Sequence, residues 1–322
     1  MGDLSNFYSP KLLGELAVGY GGQKFVGARA LPIVITPEQT GQFQTFDKDN
    51  MALDVDSARV SPKSDVDYVD QAVSKTDYAV KGYSYKYFVP NAKDEDIAGQ
   101  YLAAGVHTIL GKLLRIRESV VLAKIAACGN STSITTKWDA ASTDLGTVVT
   151  GVEEMQADLV SNTGMRGNVL LMNQAVWAVV ANHLVGAYGL QPTAPRTQVL
   201  ADILGVSEVL VSSSTWVTEK NAGSWDTPTK AWDNAGTGDV ALLNNGVPNM
   251  NDFDGDIDST EFTPAYGKIV QWVNGSTMNG IEWRSVENPY KGSHGGVDLQ
   301  GIVYFDAVET LNAACTIGDV IT

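Results

Sequence analysis

Residues 77–130, DYAVKGYSYKYFVPNAKDEDIAGQYLAAGVHTILGKLLRIRESVVLAKIAACGN, change their hydrophobic period partway along. Tyr83, Tyr85 and Tyr87 alternate with Ser84 and Lys86, the period-two pattern of a strand with two unlike faces. From Leu102 the apolar residues Val106, Ile109, Leu113, Ile116 and Val120 follow at spacings of four, three, four, three and four, which line one face of a helix. Lys112, Arg115 and Glu118 fall off that face. Asn91 or Asp94 can cap the start, and Gly129-Asn130 supplies the stop. Some thirty residues at about 1.5 Å each make a rod of about 50 Å. The stripe broadens through Leu110, Leu114, Val121 and Ile125, and Gly105 and Gly111 interrupt it. That pattern suits a spine laid across a sheet better than a coiled coil.

Upstream, ALPIVIT (residues 30–36) reads as an extended segment and TGQFQTFDKDN (residues 40–50) as a strand. The stretch between the two strand patterns is crowded with Asp54, Asp56, Asp65, Asp67 and Asp70. The whole reads as a long hairpin with a polar tip. Two strands alone are marginal in water, so an outside wall is expected, most naturally a neighbouring subunit. The first forty residues, broken by Gly19, Gly21 and Gly22, read as an arm.

Downstream, residues 146–165 carry a second helical stripe through Val152, Met155 and Leu159. NVLLMN (residues 168–173) is a buried strand whose Asn173 can cap the helix QAVWAVVANH. A further helix, TQVLADILG, stops at Gly205, and the strand SEVLVSS follows. Residues 218–238 are loop chemistry, DVALLNN is a strand, and the last sixty residues are mostly β. The fold class is α+β, and no repeat of 20–50 residues is visible.

Composition narrows the function. The chain has 322 residues, with 22 Lys and Arg against 37 Asp and Glu, a formal charge of −15. Such a balance opposes phosphate binding and anionic membranes. The N-terminus has no basic segment ahead of a long apolar run, and Asn6 stands where a myristoylation signal prefers Ser or Thr. Cys128 and Cys315 lie far apart in sequence with no metal or redox spacing, which points to a reducing compartment.

A search for chemistry finds little. There is no GxSxG, HExxH, GK[ST] phosphate loop or GxGxxG. His107, His183 and His294 have no partner at metal-ligand spacing and read as structural or loop residues. One cluster stands out: Asp252, Asp254, Asp256 and Asp258 at alternate positions, with Glu261 behind. These are the hard oxygen ligands that Ca²⁺ takes, but Ile257 and Thr263 occupy positions where an EF-hand loop needs Gly and Glu. The cluster is read as a solvated loop, with no metal, catalytic or cofactor residue assigned. Trp216, Trp225, Trp232, Trp272 and Trp283 lack interleaved basic residues and read as packing.

The order of parts, from the glycine-broken arm and polar hairpin through the spine to NVLLMNQAVWAVVANH, VLADILGVSEVLVSS and the β-rich return, resembles the major capsid proteins of tailed bacteriophages, the Hong Kong 97-like shell fold. The resemblance implies an N-terminal arm over residues 1–39 and an extended loop, the E-loop, over 40–90. It implies a peripheral domain with the spine helix over 91–163, an axial domain over 164–263, and a β-rich return to the peripheral domain over 264–322. It further implies a non-enzymatic protein that assembles with itself as hexamers and pentamers into an icosahedral shell around double-stranded DNA, without sequence-specific binding and without a membrane. The expected place is the virion, after assembly in the host cytoplasm. A separate scaffolding protein, a portal and a decoration protein are the expected partners. Lys48, Lys63 and Lys75 are available for covalent linkage to a neighbour, but no matching Asn or activating Glu is identifiable, so self-crosslinking is not expected. The rival readings are a cellular encapsulin-type nanocompartment shell and a calcium-binding secreted protein.

Overall fold

The computed structural model describes residues 25–45, 74–90, 95–188, 196–212, 215–216, 220–221, 224–225, 229–230, 232, 240–246, 265–273, 277–278, 280–291 and 295–321. A single helical turn, α1 (Gly27–Ala30), leads into β1 (Ile33–Thr36), β2 (Thr40–Thr45), β3 (Ser74–Ala79) and β4 (Lys81–Pro90). The spine α2 (Glu95–Ala126) and the short β5 (Ser131–Thr132) follow. Then come α3 (Leu145–Thr163), β6 (Val169–Asn173), α4 (Gln174–Tyr188), α5 (Arg196–Leu204) and β7 (Glu208–Ser212). Four two-residue strands, β8 (Thr215–Trp216), β9 (Lys220–Asn221), β10 (Ser224–Trp225) and β11 (Thr229–Lys230), precede β12 (Val240–Leu243). The chain ends through β13 (Gly267–Trp272), β14 (Thr277–Met278), β15 (Ile281–Asn288), β16 (Gly296–Glu309) and β17 (Cys315–Gly318).

The spine lies on a six-stranded sheet in the order β1-β13-β16-β15-β14, with β4 also paired to β16. Strand β4 runs antiparallel to β16 over ten residues, from Gly296↔Pro90 to Phe305↔Lys81. The alternation of its tyrosines now has a cause. Tyr83, Tyr85 and Tyr87 turn toward the spine and pack on the main core, while Ser84 and Lys86 face out. Tyr83 stacks on Phe305 at 4.8 Å, and the Lys112 ammonium sits 5.0 Å from the centre of the Tyr85 ring. Val106, Ile109, Leu113, Val121, Leu122 and Ile125 of the spine are all buried in that core. At roughly 1.5–3 kcal/mol per buried aliphatic side chain, this stripe and not intrinsic propensity holds the long helix in place.

A second sheet runs β5-β17-β12-β6-β7. Both β6 and β12 are buried at every residue, which is why NVLLMN and DVALLNN read as continuous apolar runs. Helices α3, α4 and α5 pack on it through Val152, Met155, Leu159, Val180, Leu200 and Leu204. The Asn173 cap forms as its position suggests, with the Val176 amide donating to Asn173 Oδ1 at 2.8 Å. Gly164 and Gly205, at φ of 70° and 63°, close α3 and α5 in the left-handed conformation.

Three segments pack away from where the sequence puts them. Strand β4, within the range read as the extended loop, pairs with β16 of the main sheet. Helix α3 joins the core of the second sheet, with Val148, Val152, Met155 and Leu159 in one cluster with α4 and α5. Strand β17, at the end of the β-rich return, crosses to the second sheet and pairs with β12 and β5. Within the region read as loop chemistry β9 pairs β10, and β11 pairs β8, which lies just ahead of it.

The start of α3 carries a capping box absent from the sequence reading. The Thr147 amide donates to Asp144 Oδ1 at 3.0 Å, and the Asp144 amide donates to Thr147 Oγ1 at 3.4 Å. The donation from Thr147 holds the Asp144 carboxyl below its usual range. Its folded value is depressed, so its contribution is present above the ordinary carboxylate range and fades as pH falls through the folded value. Asp144→Asn keeps an accepting cap that does not titrate. The excess in Tm of the parent over Asp144→Asn is expected to shrink between about pH 6 and about pH 3. A gap independent of pH, read by thermal denaturation, would refute this role.

Candidate assembly surfaces

One chain can meet another through the open edges of its sheets and through segments laid over its core. The arm is fastened first. Glu118 lies off the apolar stripe of the spine, yet it is buried, only 2% exposed. Its Oε1 accepts the Val26 amide at 3.1 Å and its Oε2 accepts the Gly27 amide at 2.6 Å. A carboxylate is thereby placed at the N-terminal end of α1, where amides lack helical partners. Arg29 pairs with Glu208 on β7, and Asn245 Nδ2 donates to the Arg29 carbonyl at 3.4 Å, tying the arm to the second sheet as well. Beside Glu118, burial pulls the Arg117 guanidinium down and the Glu118 charge opposes that shift.

The root of the hairpin is built next. Strands β2 and β3 pair antiparallel from Thr40↔Ala79 to Thr45↔Ser74. Phe43 and Tyr78 pack with Val270 and Val308 on the main sheet, and their rings lie 5.1 Å apart. The Tyr78 hydroxyl and Thr36 Oγ1 are 3.1 Å apart, and the Ala79 amide donates to Asp306 Oδ2 at 3.3 Å. Lys268 is buried on this face, its ammonium 6.0 Å from the centre of the Phe43 ring. Val80, whose amide donates to the Gln39 carbonyl, marks where the chain leaves the hairpin and enters β4.

Two exposed apolar surfaces among the described residues lie on sheet strands or at their ends. Strand β1 pairs in parallel with β13 and, among the described residues, with no other strand, while its Ile33 and Ile35 are 37% and 69% exposed. An uncovered edge bearing aliphatic side chains is a template for another chain. At the end of the β15–β16 hairpin, Tyr290 is 96% exposed and Val286 60%. That end is braced: Asn288 Nδ2 donates to Asp298 Oδ2 at 2.9 Å and Lys291 Nζ to Asp298 Oδ1 at 3.3 Å, both holding the Asp298 carboxyl below its usual range.

Ile35→Lys is expected to leave Tm within about 2 °C of the parent, because the side chain is exposed. It is expected to abolish any assembly that covers this edge, since a buried unpaired ammonium costs several kcal/mol. Size-exclusion chromatography beside a thermal melt reads both effects. Full assembly of the variant would remove β1 from the contact surface.

The acidic residues Asp252, Asp254, Asp256, Asp258 and Glu261 lie outside the described residues, as do His294, Lys48 and Lys63. Lys75 is exposed on β3. His183 Nε2 lies 2.9 Å from the Trp138 carbonyl and donates to it, a structural role. Trp232 and Trp283 are buried, and Trp272 Nε1 donates to the Pro37 carbonyl at 2.9 Å while its ring meets Tyr304 edge-on at 4.8 Å. Among the described residues no group of three or more His, Cys, Asp or Glu stands together at metal-binding range, and no helix is long and apolar enough to cross a membrane. Sequence reasoning missed Glu118, Lys268 and the Thr36–Tyr78 contact. Only for Glu118 was there a signal, a carboxylate within a long apolar helix.

No family model matches the chain, and no curated protein is similar to it in sequence. Its fold is shared with solved structures. A phage-related protein from Bordetella bronchiseptica RB50 superposes with a TM-score of 0.61 at 16% identity, covering 96% of each chain. A virus-like particle from Pyrococcus furiosus gives 0.51 at 11% identity, over 95% of this chain and 96% of that one. The capsid of the cyanophage P-SCSP1u gives 0.50 at 10% identity, over 90% and 86%. None of the three is named as an enzyme, and two are named as shells. The chain has the α+β Hong Kong 97-like fold of phage capsid proteins.

Proposed function

We propose that this chain is the major capsid protein of a tailed bacteriophage, copies of which join as hexamers and pentamers into an icosahedral shell around double-stranded DNA. The observation that carries the reading is the match of 90–96% of the chain to a phage-related protein, a virus-like particle and a phage capsid. The fastened arm, the hairpin rooted on the main sheet and the edge of β1, unpaired on its outer side among the described residues, are parts such a shell can use. Assembly then rests on apolar burial and on strands laid across neighbouring copies, repeated by symmetry. The formal charge of −15 suits a container that holds DNA without gripping it, because phosphate is repelled from an acidic lining. The shell belongs to the virion and forms in the host cytoplasm with a separate scaffolding protein, a portal and a decoration protein as partners. It works as a structural protein without a resident cofactor, and the carboxylates of Asp252, Asp254, Asp256, Asp258 and Glu261 stay solvated.

Negative-stain electron microscopy of the chain expressed with its neighbouring genes tests the proposal, beside size-exclusion chromatography of the chain alone. Closed polyhedral particles containing nucleic acid are the expected result. Closed particles loaded with a protein cargo would replace the phage reading with that of a nanocompartment. A monomer under both conditions would sink the shell function, and one whose Tm falls on adding a chelator would favour the calcium-binding reading.

A further inference from the structure

Cys128 and Cys315 are 187 residues apart in the chain and meet in the fold. Cys128 follows the last turn of the spine and Cys315 opens β17, so the pair sits where the spine meets the second sheet. Cys128 Sγ donates to the Cys315 carbonyl oxygen at 3.3 Å, which sets the two residues side by side. Asn130 Nδ2 holds the segments together, donating to the Asn312 carbonyl at 2.8 Å and to the Cys315 carbonyl at 3.2 Å. Cys128 is half-buried and Cys315 fully buried, and both are free thiols. The shell reading uses neither.

The two sulfurs are unequal. The hydrogen bond from Cys315 holds the Cys128 thiol below its ordinary range, whereas burial pushes the Cys315 thiol up. A half-buried thiol held below its ordinary range, backed by a fully buried one pushed above it, is the arrangement of an attacking and a resolving cysteine.

We propose that Cys128 and Cys315 form an intramolecular dithiol site that small-molecule disulfides of the glutathione class oxidise to a disulfide, fastening the end of the spine to the last strand. Cys128, as thiolate, attacks one sulfur of the reagent disulfide, forming a mixed disulfide and releasing one reagent thiolate. That thiolate takes the proton of Cys315. The Cys315 sulfur then attacks Cys128 Sγ and expels the second reagent thiolate, which takes up the proton that Cys128 gave to solvent. Two protein thiols and one reagent disulfide become one protein disulfide and two reagent thiols. Cys128 Sγ already touches the Cys315 main chain, so the movement the bond asks for is a turn of the two side chains toward each other. The closed loop is long, so the oxidised chain is expected to melt higher by on the order of 5–10 °C.

The test incubates the purified full-length chain with oxidised or reduced glutathione, blocks the remaining thiols with N-ethylmaleimide, and reads intact mass and a non-reducing peptide map. The oxidised sample is expected to lose two hydrogens and to yield one peptide pair joined at Cys128 and Cys315. Cys315→Ala is expected to accumulate a glutathione adduct on Cys128, and Cys128→Ser to stay unmodified. A stable adduct on the parent chain without the linked peptides would overturn the proposal. So would an unchanged parent when the guanidinium-unfolded chain reacts. If Cys315→Ala does not fold, the parent map and Cys128→Ser decide. The readout lies within one chain, so it stands or falls apart from shell assembly.

Discussion

Glu118→Ala is expected to cost about 3–5 kcal/mol of folding stability and to open the segment around residues 25–31 to proteases. The carboxylate is buried and accepts two amides, those of Val26 and Gly27, at the point where the arm joins the spine. Alanine removes both acceptors at once. Neither amide can turn to water without the arm lifting, and each unsatisfied buried donor costs about 1–3 kcal/mol. The approach is close enough that a Cβ on Gly27 would stand 2.8 Å from Glu118 Oε2, so only glycine lets the backbone reach the carboxylate. Glu118→Gln keeps one accepting oxygen but turns an NH₂ toward the second amide, so it is expected to fall between alanine and the parent. Urea denaturation gives the energies, and limited proteolysis with mass spectrometry locates the opened segment. An alanine variant as stable as the parent, with residues 25–31 still protected, would show that this carboxylate does not hold the arm. Under the shell reading the released arm also weakens assembly more than the loss of stability alone would.

Gly301→Val is the second large effect, about 2–4 kcal/mol, through overpacking between spine and sheet. Gly301 lies on β16 directly beneath the spine. A Cβ there would meet Ile109 Cγ2 at 2.7 Å, Trp283 Cζ3 at 3.2 Å and Leu113 Cδ1 at 3.4 Å. All three neighbours are buried in the main core and have little room to give. Alanine is expected to cost less than valine. Ile109→Ala in the Gly301→Val background is expected to be less damaging than the sum of the two changes, because one vacates the space that the other fills. Gly99 serves as the control: it lies in the spine itself, and a Cβ there meets nothing within 4 Å. Gly99→Ala is expected to stabilise by roughly 0.5–1 kcal/mol through helix propensity alone. Strict additivity in the double variant, measured in denaturant, would refute direct contact at this crossing.

These two sites differ in how well the sequence announced them. Gly105 and Gly111 within the spine stripe already argued for a helix lying on a sheet, and the alternating tyrosines of β4 marked a strand with one buried face, although nothing in the sequence singled out Gly301 as the point of contact. Those patterns survive folding because they arise from the fixed periods of helix and strand, which tertiary context does not alter. The Asn173 cap and the stop at Gly205 were legible for the same reason, since both act within a few residues. Glu118 was not, because helical periodicity assigns it to the outside and only the return of the arm across that position buries it.

The local order of helices and strands, the α+β class, the acidic balance and the resemblance to a shell protein were therefore settled by the sequence alone. The tertiary structure decided which segments share a sheet. It placed β4 on β16, carried β17 from the end of the chain into the second sheet, and set α3 on the second core. It also brought Cys128 within reach of Cys315 across 187 residues. Such pairings depend on which apolar faces meet after the chain has turned back on itself, and no period of two or 3.6 residues encodes a contact between positions that far apart.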